Sequence, residues 1–137
     1  MGNNVIVFDI EATNLLNEKS IDYSQYPLRL KEDFAIHCLV TKNITTGEIT
    51  KLYQDSLTKG NVENVLGDAD VLIAHNGIGY DLPVLMLYYG FDYSLASVEG
   101  EQDYFNGKPC EIVDTAVMSR TLWPDRPWGH SLDGWGK

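Results

Sequence analysis

Two carboxylates, Asp9 and Glu11, stand two residues apart at the end of the apolar run VIVFD. Side chains alternate faces along a strand, so this spacing sends both acids to one side while Ile10 points to the other. Paired carboxylates at a strand exit are suited to a divalent cation, and an all-oxygen ligand set favours magnesium or manganese over zinc. The plain structural alternative is that Asp9 caps the following turn and Glu11 is solvated, as acidic side chains ordinarily are. A third acid, Asp81, occurs in HNGIGYDLPVL, after a second apolar run and at the start of a helical pattern. Parallel neighbouring strands with these acids near their C-terminal ends bring Asp81 toward Asp9 and Glu11. Three acids converging there can hold two ions about 4 Å apart, which stabilises the attacking and leaving oxygens of a phosphoryl displacement. Taken alone, Asp81 also reads as a helix N-cap contributing roughly 1 kcal/mol.

The elements that must position these residues follow from the pattern. Residues 5–9 are continuously apolar up to the acid, the mark of a central strand buried on both faces. Residues 15–33 are polar, lack a sustained period and read as a loop. Residues 34–41 and 49–53 read as two strands of a hairpin turning through 43–47. Asn61 begins a short helix with Val62, Val65 and Leu66 on one face and Gly67 as its stop. A second strand, 71–74, runs into His75-Asn76-Gly77, where Gly77 and Gly79 permit close backbone approach. Leu82, Leu85, Met86 and Tyr89 then repeat at i, i+3, i+4 and i+7, a helix packed on a sheet, with Pro83 in its first turn and Gly90 closing it. Residues 112–114 form a third short strand before a helix from 115 to about 123, and Ser131 starts another. This order is a mixed α/β single domain with helices covering the sheet.

The chain has 137 residues, 44% of them apolar, enough for one core and too many for a disordered segment. Cys38 and Cys110 are far apart with no C-x-x-C spacing, so they read as reduced, buried thiols. No run of 18 apolar residues occurs, the N-terminus lacks the basic and apolar regions of an export signal, and Ile6 replaces the Ser or Thr of a myristoylation signal. A soluble, cytoplasmic protein with no membrane partner is expected. The net charge of −10, from 20 acids against 10 Lys and Arg, argues against a conventional nucleic-acid binder. Residues 61–107 contain no Lys or Arg and eight acids. That stretch is either a solvated acidic face or a source of cation ligands.

Together, FDIEATNLL, HNGIGYDLPVL, IVDTAVMSRTLWP and HSLDGWG resemble the 3′-5′ exonuclease domains of the DEDD family. The resemblance is strongest to the proofreading domain at the N-terminus of family A DNA polymerases of tailed bacteriophages. It implies a ribonuclease-H-like mixed sheet with flanking helices, its second strand antiparallel to the rest, and a role in DNA replication. It implies that Asp9, Glu11 and Asp81 bind two Mg2+ or Mn2+ ions and carry the hydrolysis. It places Ala12, Thr13 and Asn14 beside the terminal nucleotide, with Asn76 on the substrate strand. The partner implied is a single-stranded DNA 3′ end, in the cytoplasm of a phage-infected bacterium. Turn chemistry is the competing role for Thr13 and Asn14. His75 reads as a residue that holds its loop by hydrogen bonding rather than a general base, and His130 as a helix-entry residue. Asp114 reads as a helix cap, and Tyr80, Tyr88 and Tyr89 as packing, with base stacking as the functional alternative.

The family's third motif, Tyr-x-x-x-Asp or His-x-x-x-x-Asp, supplies a last metal ligand and the residue that orients the attacking water. Asp125 and Asp133 lack the required Tyr or His before them. The expectation is therefore a partial, C-terminally truncated exonuclease domain over 1–137, without the polymerase domain, whose missing ligand and most of whose DNA affinity come from a separate polymerase chain. Two other readings remain: a non-catalytic module docking on such a chain, and a ribonuclease or resolvase of the same fold. The exonuclease reading predicts little or no digestion of labelled single-stranded DNA by the 137-residue chain in Mn2+, with activity recovered when a second polypeptide supplies the motif. Robust digestion by the chain alone would overturn that expectation.

Overall fold

The computed structural model describes residues 4–13, 20–25, 28–31, 34–98 and 100–122. Asn14, His130, Asp125, Asp133 and the helix expected from Ser131 lie outside the described residues.

Strand β1 (Val5–Ala12) turns Ile6, Phe8 and Ile10 into the core and Val7, Asp9 and Glu11 toward solvent. It is central as expected, but it is not buried on both faces: Val7 is 36% exposed. The run VIVFD shows that both faces are apolar without showing which face helices cover. Helix α1 (Lys59–Leu66) and helix α2 (Leu82–Tyr89) contribute Val62, Leu66, Leu82, Val84 and Leu85 to the same core as Ile6, Phe8 and Ile10.

β1 pairs antiparallel with β2 (Ile36–Asn43), which pairs antiparallel with β3 (Ile49–Tyr53). On its other edge β1 pairs parallel with β4 (Val71–Ala74), and β4 parallel with β5 (Glu111–Asp114). The five-stranded sheet thus has the order β3–β2–β1–β4–β5, with β2 alone running against the rest. This is the mixed α/β architecture the sequence led us to expect. Helix α3 (Thr115–Leu122) follows β5 directly.

Local chemistry explains the boundaries. The β2–β3 hairpin closes through Asn43: its carbonyl accepts from the Gly47 N–H at 2.7 Å and its Oδ1 from the Thr46 N–H at 3.1 Å, with Gly47 at φ +80°. That conformation is one glycine adopts without strain. Helix α1 starts at Lys59, two residues before the expected Asn61, because the Thr58 hydroxyl accepts from the Asn61 N–H and caps the helix. Helix α2 ends where expected, at Gly90 with φ +82°. Beyond it, Phe91 packs on Phe105, ring centroids 5.8 Å apart, under a ribbon of three two-residue strands. Asp103 ties this ribbon to β5 by accepting from the Ala96 and Ile112 N–H groups.

Cys38 is half-buried and Cys110 buried, both free, and burial pushes the Cys110 thiol up to about 11. No helix among the described residues is long and apolar enough to cross a membrane.

Leu72, 1% exposed, lies between Ile6 and Ile112 in neighbouring strands, so its side chain helps join the three parallel strands that the acids depend on. Leu72→Ala is expected to cost about 2–5 kcal/mol in denaturant unfolding by leaving a cavity there.

Candidate functional site

The parallel pairing of β1 with β4 runs from Val5 opposite Val71 to Val7 opposite Ile73, and β4 ends at Ala74. β1 continues, paired with β2 through Glu11 opposite Cys38, before the register shifts at Ala12. Asp9 and Glu11 therefore stand on the part of β1 that β4 has left, both exposed on one face with Ile10 buried behind them. The alternation read from their spacing holds.

Asp81 reaches this region by an unusual route. After His75, Asn76 takes a left-handed conformation at φ +62°, and residues Gly77–Asp81 form a π-helical turn in which the Leu82 N–H donates to the Gly77 carbonyl. A Cβ on Gly77 would lie 2.7 Å from the Ala74 Cβ, so the close approach expected of this glycine is real. The turn runs straight into α2. Asp81 is itself helical, at φ −61° and ψ −45°, and makes no capping hydrogen bond. This corrects the N-cap expectation: the helical backbone begins before Asp81, so its carboxylate does not face the free N–H groups of α2. Single π-turns inside helices are frequent at functional sites.

The free N–H groups at the front of this turn are met by Asp114. Its Oδ1 accepts from Asn76 at 2.9 Å and its Oδ2 from Ile78 at 3.0 Å. The same Oδ1 accepts from Ala116 at 2.8 Å and Val117 at 3.3 Å, so Asp114 is also the α3 cap that the sequence suggested. Beside it, His75 Nδ1 lies 2.8 Å from the Thr115 hydroxyl, and the expectation that His75 holds its loop is met.

Asp81 is 2% exposed, and its Oδ2 is buried with no hydrogen-bond partner. Burial, then the negative charges of Asp9, Asp114 and Glu11, push its carboxyl up to about 8. Asp9 is also raised, by burial first and Glu11 second, with partial relief from the Ile10 backbone and His75. The Tyr80 hydroxyl is raised by burial and then by Asp81, Glu11 and Asp9. These couplings put Asp9, Glu11, Asp81 and Asp114 in one negatively charged neighbourhood at the ends of β1, β4 and β5.

The donors fit a hard divalent cation in kind: they are carboxylate oxygens, and one is buried and unpaired. They do not form a ready chelate. Among the described residues, no three His, Cys, Asp or Glu side chains come together closely enough to hold one ion as they stand.

The expected substrate contacts fare differently. Ala12 is half-buried just past the register shift. Thr13 is engaged with the start of β2: its N–H donates to the Ala35 carbonyl at 2.8 Å, its hydroxyl to the same carbonyl at 3.0 Å, and that hydroxyl lies 3.3 Å from His37 Nε2. Asn76 is exposed, and its side chain occupies the space a Cβ on Gly79 would need. Tyr88 and Tyr89 pack edge to face at 4.9 Å, and the Tyr89 hydroxyl donates to the Leu57 carbonyl. Sequence reasoning passed over His37 and underrated Asp114. The signal available for Asp114 was its place at the exit of a strand parallel to β4. Concavities of about 230 Å³ beside Asn4 and Thr41, and about 430 Å³ beside Ser97 and Gln102, are not lined by the three acids, of which Asp9 and Glu11 are exposed and Asp81 is buried.

No protein-family model matches the chain. A DNA polymerase III of PolC type from Mycoplasma genitalium is 29% identical over an alignment of 128 residues, which covers 86% of this chain and 7% of the polymerase. The chain thus spans only a small part of that relative's length. Among solved structures, the family B DNA polymerase of the hyperthermophilic archaeon Pyrobaculum calidifontis superposes with a TM-score of 0.55 at 18% identity, over 83% of this chain and 15% of the polymerase. The chain is similar in sequence to a segment of one DNA polymerase and shares its fold with a segment of another. Both polymerases lie outside the phage family A group singled out from the sequence.

A carboxyl whose value rises on folding binds a proton that the unfolded chain has released, so stability falls as pH rises between the two values. For Asp81 that window runs from its ordinary value of 3.8 to about 8. Asp81→Asn is expected to change stability little near pH 4 and to stabilise the protein above pH 8, by an amount on the order of a few kcal/mol. Denaturant midpoints across this range would check it, and a variant no more stable than the parent at pH 9 would count against the burial of a charged Asp81.

Proposed function

We propose that this chain is the 3′-5′ exonuclease portion of a DNA polymerase, of the phage type that its motifs resemble, acting in proofreading on the 3′ end of single-stranded DNA. One observation carries the reading: a buried carboxyl, Asp81, has an unpaired oxygen and feels the charges of the two exposed acids on β1. Raised to about 8, the Asp81 carboxyl keeps its proton near neutral pH, and it gives that proton up there only if a positive charge offsets the cost of burying the anion. A divalent cation is the compensation this oxygen set suits. The sequence similarity to a polymerase segment and the polymerase fold support the same reading.

In this proposal Asp9, Glu11 and Asp81 hold two Mg2+ or Mn2+ ions. When bound, such ions activate water and stabilise the scissile phosphate and the departing 3′ oxygen. The chain's own residues do the rest. Asp81 is carried on the π-turn, while Asp9 and Glu11 extend from the C-terminal end of β1. Ala12, Thr13 and Asn14 border the terminal nucleotide, Thr13 through the backbone it braces on β2, and Asn76 faces the substrate from the other side. A separate polymerase chain as partner belongs to the same proposal.

Calorimetric titration with Mn2+ tests it. The chain is expected to bind the ion, Asp81→Asn to weaken binding by about tenfold or more, and the Asp9→Ala, Glu11→Ala double variant to abolish it. Equal binding by all three, or none by the parent chain, would refute the metal site and favour a docking module.

A further inference from the structure

We infer that Asp114 is the positioning residue for Asp81: by accepting the N–H groups of Asn76 and Ile78 it locks the π-turn that carries Asp81 to the other two acids. The inference rests on the function proposed above, because positioning has a purpose only if Asp81 is a ligand.

Within the turn the Tyr80 and Leu82 N–H groups donate to the Asn76 and Gly77 carbonyls, and the leading N–H groups of Asn76 and Ile78 are taken by Asp114. The turn follows β4 after the sheet pairing has stopped, and Asp81 contributes neither a cap nor a partner for its Oδ2. Asp114 is buried, at the end of β5, the strand next to β4, and its two oxygens divide their work unevenly. Among the described residues, Oδ1 serves Asn76, Ala116 and Val117, whereas Oδ2 serves Ile78 alone. Hydrogen bonds from backbone N–H to an ionised carboxylate are stronger than neutral ones. Partners that orient ligands typically matter by about 10–100-fold in metal affinity or activity when removed.

That division permits a test that separates capping from positioning. Asp114→Asn keeps Oδ1, and with it the α3 cap, but sets an amide donor against the Ile78 N–H. Asp114→Ser keeps a hydroxyl cap for α3 but is too short to reach Ile78. Both are compared with the parent by amide hydrogen exchange and by Mn2+ titration. The expected result is exchange faster by about tenfold or more at residues 76–82, unchanged exchange in β1 and β2, and Mn2+ affinity lower by about 10–100-fold. Unchanged protection at 76–82 in both variants would overturn the inference, as would a loosened turn with unaltered Mn2+ affinity. If Asp114→Asn fails to fold, Asp114→Ser decides by the same readouts. A parent chain that binds no Mn2+ refutes the metal reading, and the positioning role with it. Asp81-dependent Mn2+ binding with a rigid turn in both variants removes the inference alone.

Discussion

A buried backbone N–H must find an acceptor, and at the acid end of this sheet the need is acute because two chain segments leave the ladder side by side. The segment after β4 bends into a π-turn, and the segment after β5 starts a helix, so both present N–H groups with no partner in a strand. One carboxylate, Asp114, accepts from both. The His75 and Thr115 side chains meet beside it and join the same two segments again. The position of Asp81 follows from this junction rather than from any bond that Asp81 makes.

The arrangement is electrostatically unfavourable to the folded chain. Asp81 is buried near Asp9, Glu11 and Asp114, and burial and all three charges act in the same direction on its carboxyl. Elsewhere the acidic stretch 61–107 is put to structural use: Asp103 binds the ribbon to β5, and Asp70 accepts from the Asn4 N–H and faces Lys108 at 3.8 Å. Acids that are satisfied by N–H groups or a lysine need no ligand. Asp81 Oδ2, buried and unpaired, differs from them, and strongly shifted groups of this kind cluster where proteins do chemistry.

Several features were legible from residue order. Strand alternation placed Asp9 and Glu11 on one face, the apolar period of Leu82, Leu85, Met86 and Tyr89 located α2, and Gly90 marked its end. The likeness of short motifs carried the mixed sheet and its single reversed strand, though not the order of the strands. Other features were not legible. A continuous apolar run could not show that α1 and α2 pack on the Phe8 side of β1, and the one-face pattern of α1 could not reveal that Thr58 starts the helix early. Asp81 looked like a cap because Asp before a helical period usually is one, and only a π-turn removes it from that role.

Side-chain type and spacing were enough to choose the acids and to put two of them on a common face, because a strand's period of two is a local property of the backbone. Whether Asp81 is capped or orphaned, which oxygen of Asp114 serves which amide, and how far the three acids stand from a closed chelate depend on where β1, β4 and β5 end relative to one another. Those offsets are set by packing between residues far apart in the chain, as the pairing of Val5 with Val71 and the contact of His75 with Thr115 show, and no local period records them.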